Sequence, residues 1–86
     1  MIFCITWAGK WENGEMIYNL ADTYLKADSF EDVLVKAKER MPKLLDELNK
    51  IEEQRRIAKN FQERYIFSEI EIGSITRNYF QEWRNE

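Results

Sequence analysis

Ile2-Phe3-Cys4-Ile5-Thr6-Trp7-Ala8 is the stretch that decides the fold. Nearly every position is β-branched, aromatic or apolar, without the strict alternation of a strand that has one wet face. Such a run suits a strand covered on both faces or the central strand of a small sheet. Downstream, Asn13-Gly14 favours a type I′ turn, because both residue types tolerate φ > 0. Glu15 to Lys26 is again extended in character, with Met16, Tyr18 and Leu20 on one face, and a hairpin is the simplest arrangement. Asn19-Leu20-Ala21-Asp22 reads as a bulge or bend inside that second strand, which resumes at Thr23 and runs to Ala27.

Asp28-Ser29 marks a helix start. Ser29 can accept from the amide three residues on, and Asp32 stands where the acid of a capping box belongs. Phe30, Val33, Leu34 and Ala37 recur at i, i+3, i+4 and i+7, which is one buried face. Pro42 disfavours helical geometry in Met41 and is well placed to open a new helix. The pattern therefore predicts two helices, the first weakening at Arg40-Met41 and the second running from Pro42 to about Arg64. Leu44, Leu45, Leu48, Ile51, Ile57, Ala58 and Phe61 would form the apolar stripe of the second. Glu52 and Arg56 form an i, i+4 pair in the favoured order.

Tyr65 to Ile72 returns to period two, with Ile66, Ser68, Ile70 and Ile72 on one side and Tyr65, Phe67, Glu69 and Glu71 on the other. Gly73-Ser74 is read as closing the strand, with Ser74 as a cap. Ile75 to Trp83 then reads as a short helix that docks Tyr79, Phe80 and Trp83 on the sheet. The expected order is β-β-α-α-β-α over a single domain, residues 1–86. This is an α+β fold: a small three-stranded, mostly antiparallel sheet with helices packed on one face. Pairing the third strand with the first would make Met1–Ala8 central.

Composition excludes several chemistries. The chain has 86 residues, 13 Lys plus Arg, 16 Asp plus Glu, no His and one Cys, for a net charge of −3. Without His the commonest general base and metal ligand are missing, and no Ser-His-Asp or Cys-His site can be assembled within the chain. One cysteine permits neither an intramolecular disulfide nor a zinc site of the usual Cys/His type. Gly9, Gly14 and Gly73 are too far apart for a phosphate-binding loop. No stretch reaches the roughly 18–20 apolar residues of a membrane helix. The first segment lacks a basic start and turns polar too early for a signal peptide. A lone thiol fits the cytoplasm. No cofactor, no metal and no catalytic residue are expected.

Five residues stand out for partner binding: Trp11, Tyr18, Arg55, Arg56 and Trp83. Trp7 lies within the apolar run and reads as core. Trp11 sits among Lys10, Glu12 and Asn13, a turn-like setting in which an exposed Trp serves as an anchor. Arg55 falls on the stripe of Leu48, Ile51, Ala58 and Tyr65, which points to a homodimer through the 42–64 helix. Arg55 and Arg56 otherwise pair with Glu52 and Glu53. Arg77 to Arg84 mixes basic and aromatic residues as nucleic-acid readers do, but a net negative chain makes nucleic acid an unfavoured partner. Glu69 and Glu71 read as a solvated outer face that blocks edge pairing, and Cys4 as a buried, inert thiol.

These features imply a non-enzymatic protein-binding module: a small regulator, adaptor or inhibitor. Small acidic domains that phages and mobile elements carry to block a host or defence factor have this general composition. The alternatives are a nucleic-acid-binding domain using sheet aromatics and the C-terminal Arg/aromatic segment, and a small-ligand or nucleotide sensor acting as a homodimer.

Overall fold

A computed structural model describes residues 1–60, 62 and 65–84. Strand β1 (Ile2–Trp11) and strand β2 (Met16–Lys26) form a hairpin. A single helix, α1 (Phe30–Lys59), is followed by strand β3 (Phe67–Arg77) and a short helix, α2 (Tyr79–Arg84). The sheet order is β2-β1-β3, antiparallel throughout, so the apolar first strand is central as its composition requires.

The hairpin turn is not type I′. Gly14 alone takes a positive φ there, at 92°, and Asn13 does not. The Gly14 N–H donates to the Trp11 C=O and the Trp11 N–H to the Glu15 C=O, each at 2.9 Å. Glu15 in turn donates its N–H to Asn13 Oδ1. This is the three-residue hairpin loop, with glycine in the left-handed position. The bulge in β2 lies where the sequence places it. Trp7 faces Ala21 and Gly9 faces Ile17, so β2 spends four residues against two, and Asn19 takes φ 54°.

Residues 30–59 form one helix, not two. Proline inside a helix costs about 3 kcal/mol through a missing hydrogen bond and a ring clash. Here the affected residues, Pro42 and Lys38, are both exposed, so the missing bond falls on the solvent side of the helix, where its cost is lowest. Val33 and Ala37 before the proline, and Met41, Leu44, Leu45 and Leu48 around it, all pack into one core. Each such side chain contributes up to about 1.5–3 kcal/mol when fully buried, so continuity wins. Ser29 caps the start by accepting from the Asp32 N–H at 3.1 Å. Asp32 reaches back to the Asp28 N–H. Asn60, at φ 55°, closes the helix at Lys59. The expected continuation through Phe61 to Arg64 falls on residues of which Phe61, Glu63 and Arg64 lie outside the described set.

Strand β3 is longer than its sequence suggests, and two bulges explain why. Thr6 faces Ser74 and Trp7 faces Ile72; Lys10 faces Glu69 and Trp11 faces Phe67. One extra residue at each point, Gly73 and Ser68, shifts the side-chain parity. Ile70, Ile72 and Ile75 thereby join the core under the helix, and Phe67, opposite Trp11 and beside Leu20, falls on the same side; Phe67 and Ile70 are buried. Phe67 is thus core, not outer face, and Gly73-Ser74 lies inside the strand. Asn78, not Ser74, caps α2, its Oδ1 accepting from the Gln81 N–H at 2.9 Å. The core gathers Phe3, Ile5, Trp7, Leu25, Ala27, Val33, Ala37 and Ile70 between sheet and α1. Cys4 faces the uncovered side, opposite Tyr24 and Thr76, and is half-buried, not buried.

Candidate interaction surfaces

The five residues singled out from the sequence do not form one site. β1 separates Trp11 from the end that carries Trp83, and its ten residues span about 30 Å. Trp11 lies at the hairpin end. Its ring stacks on Phe67, centroids 3.8 Å apart and planes 11° apart, and meets Tyr65 edge-on at 5.8 Å. It is half-buried, and a narrow cleft of about 190 Å³ remains between it, Glu12, Asn13, Tyr65 and Ile66. Tyr18 is exposed on β2, beside the bulge at Asn19.

Arg55 and Arg56 lie in the last two turns of α1, beyond Leu48, which packs on the core, and Asn49, which bonds Phe67 of β3. Arg55 pairs with Glu52 at 3.4 Å, and Arg56 pairs with Glu53 at 2.6 Å. Both pairs are i, i+3; the expected Glu52–Arg56 pairing gives way to them. The hydrogen bond and charge of Glu53 raise the Arg56 pKa, fixing it as a cation. Ile51 and Ala58, on the same stripe as Arg55, are exposed there.

Trp83 belongs to a different surface. α2 begins where the Asn78 N–H donates to the Ile2 C=O at 2.7 Å, which ties it to the start of β1. Glu82 takes three hydrogen bonds from Arg77, at 2.9, 3.0 and 3.2 Å, and lies 3.8 Å from the terminal ammonium. The Arg77 hydrogen bond is the main cause of the lowered Glu82 pKa, and that of Glu82 raises the Arg77 pKa. With its polar side so anchored, the helix turns its aromatic side to solvent. Tyr79, Phe80 and Trp83 are 66%, 60% and 69% exposed. The docking of these rings on the sheet that their spacing suggests does not occur. Arg77 instead lies over the Tyr79 ring at 4.4 Å, and Phe80 meets Trp83 at 6.0 Å.

Among the described residues no cluster of three or more acids or thiols could hold a metal ion. Glu69 is spoken for by Lys10 at 3.9 Å. No helix of the described residues is long and apolar enough to cross a membrane. No family model, curated protein or solved structure matches the chain.

Proposed function

We propose that the protein is a non-enzymatic protein-binding module, a regulator, adaptor or inhibitor, whose primary contact is the aromatic surface of α2. The observation that carries this reading is the exposure of Tyr79, Phe80 and Trp83 together on one short helix. Three adjacent large rings in water are costly to keep, and aromatic residues of this kind are the usual anchors of protein interfaces. Of their two cationic neighbours, Arg77 is already neutralised by Glu82, and a single cation, Arg84 over the Phe80 ring at 5.9 Å, is little positive charge for phosphates in a chain of net charge −3. That favours a protein over a nucleic acid.

The test is capture from a lysate with the tagged protein, using Phe80→Ala/Trp83→Ala as the control. Both rings are exposed, so the variant keeps the fold. One stoichiometric, nuclease-resistant protein retained by wild type and lost by the variant is expected. Capture that nuclease abolishes, or that the variant retains, overturns the reading. The second reading, self-association through residues 42–64, is favoured by the exposed Ile51 and Ala58 stripe. Light scattering across micromolar concentrations decides it: a monomer throughout removes it.

A further inference from the structure

We propose that the free edge of β2 and the basic ridge of α1 beside it take up an extended acidic peptide of a partner protein as a fourth strand. This surface is separate from the aromatic face of α2.

β2 pairs with β1 on one side only. The Ala27 N–H donates to the Met1 C=O at 3.0 Å, which fixes the phase of the ladder. Hydrogen-bonded pairs then fall at Phe3–Leu25, Ile5–Thr23 and Trp7–Ala21. The N–H and C=O groups of Asp22, Tyr24 and Lys26 consequently point away from the sheet. The Lys36 ammonium confirms that direction by reaching the Lys26 C=O at 2.9 Å. From Ala21 to Lys26 the pairing with β1 is unbroken. The opposite edge, β3, is interrupted by bulges at Ser68 and Gly73, a device that discourages strand addition. The second half of β2 is therefore the better template of the two edges.

The helix supplies the charge. Lys36, Arg40 and Lys43 recur at i, i+4 and i+7, so they form one ridge alongside this edge. A cleft of about 430 Å³ lies between Tyr24, Leu25, Lys26, Lys36, Glu39 and Arg40. A second, of about 320 Å³, continues it through Arg40 to Thr23, Lys43, Leu44 and Glu47. Lys36 pairs with Asp32, but among the described residues neither Arg40 nor Lys43 is in an ion pair. Lys26, Lys36, Arg40 and Lys43 outnumber Glu39 and Glu47 in this groove, although the chain as a whole carries −3. A strand edge calls for a backbone, and the ridge calls for negative side chains; an extended acidic peptide offers both. A second copy does not fit as well, because a two-fold axis at the β2 edge would set the two basic ridges facing each other.

The probe is a fluorescein-labelled alternating Glu/Thr decapeptide, read by anisotropy against the intact protein. Saturable binding is expected, weakened at least about tenfold by Arg40→Glu/Lys43→Glu. Methylating alternate amide nitrogens of the peptide should abolish it. Tyr24→Pro removes an outward N–H together with the ring and should also abolish binding, whereas Tyr24→Phe, which keeps the N–H, should not; proline is tolerated at a strand edge, so the fold survives. Circular dichroism confirms that the variants fold, and Trp83→Ala should leave peptide binding unchanged. No binding, or binding indifferent to amide methylation or to the charge reversal, overturns the proposal. So does an equal affinity for an oligothymidylate of the same length. A dimer of the free protein that Tyr24→Pro dissolves would assign the edge to a second copy and equally overturn it.

Discussion

Gly9 shows how little room the sheet leaves at its most crowded point. A Cβ there would lie 2.8 Å from Leu20 Cδ2 and 2.8 Å from Phe67 Cε1. Leu20 can rotate away, but the Phe67 ring is held by its stack on Trp11. Gly9→Ala should therefore destabilise the protein by about 1–3 kcal/mol, the usual cost of overpacking. A urea titration should show a lower midpoint at unchanged slope, with a changed near-ultraviolet signal from the Trp11–Phe67 stack. An unchanged midpoint would mean that the ring yields freely. At this scale the sequence was readable where identity settles environment. Trp7, in an apolar run, is fully buried, its indole N–H donating to Thr23 Oγ1 at 2.9 Å. Cys4, in the same run, was not readable: the lack of alternation in a central strand hides which positions face the open side. Nor is the exposure of the C-terminal rings readable, because their spacing is the same whether the face they share is covered or bare.

The elements were legible in kind and misjudged at their joints. Ser29 stops and starts the chain by a local hydrogen bond, so its cap could be read directly. Pro42 reads as a break because its penalty is local, while the compensating burial on both sides of it is tertiary. The bulges in β3 leave no mark in the sequence for the same reason: parity shifts depend on the partner strand. Asn49 is the most consequential case. In sequence it is one polar residue in a helix. In the fold its side-chain amide donates to the Phe67 C=O at 3.1 Å and accepts from the Phe67 N–H at 2.8 Å. The Glu12 N–H donates to the Ile66 C=O, so the Phe67 backbone groups face away from β1 and need this partner. Asn49→Ala strands both in a partly buried site and should cost about 1–3 kcal/mol. Amide exchange at Phe67 should accelerate more than exchange at Ile5. Equal acceleration at both positions would mean that Asn49 merely supports global stability.

At the scale of the molecule, the long helix sets both shape and vulnerability. The radius of gyration is 15.0 Å, against about 12 Å for a compact chain of this length. The long dimension, 47 Å, matches a 30-residue helix at about 1.5 Å per residue. One end of this rod is fastened by charge. Asp32 is held below the usual carboxylate pKa by the Asp28 N–H first and Lys36 second. Glu82 is held below it chiefly by Arg77. Met1, Asp28, Lys36 and Glu82 line one cleft, so the two carboxylates secure the same end. A folded-state pKa below the unfolded value gives stability that is complete above the unfolded pKa, near about 4, and lost as pH falls through the folded one. The unfolding midpoint should thus stay level from about pH 7 to 5 and decline below about pH 4. Asp32→Asn and Glu82→Gln should each be less stable than wild type at neutral pH and lose less on acidification, so the three curves converge at low pH. Both carboxylates are half-buried but still reach solvent, so salt should narrow the neutral-pH gap in part. Parallel curves at every pH would show instead that acid acts through the general repulsion of the 13 Lys and Arg side chains, and not by releasing this end.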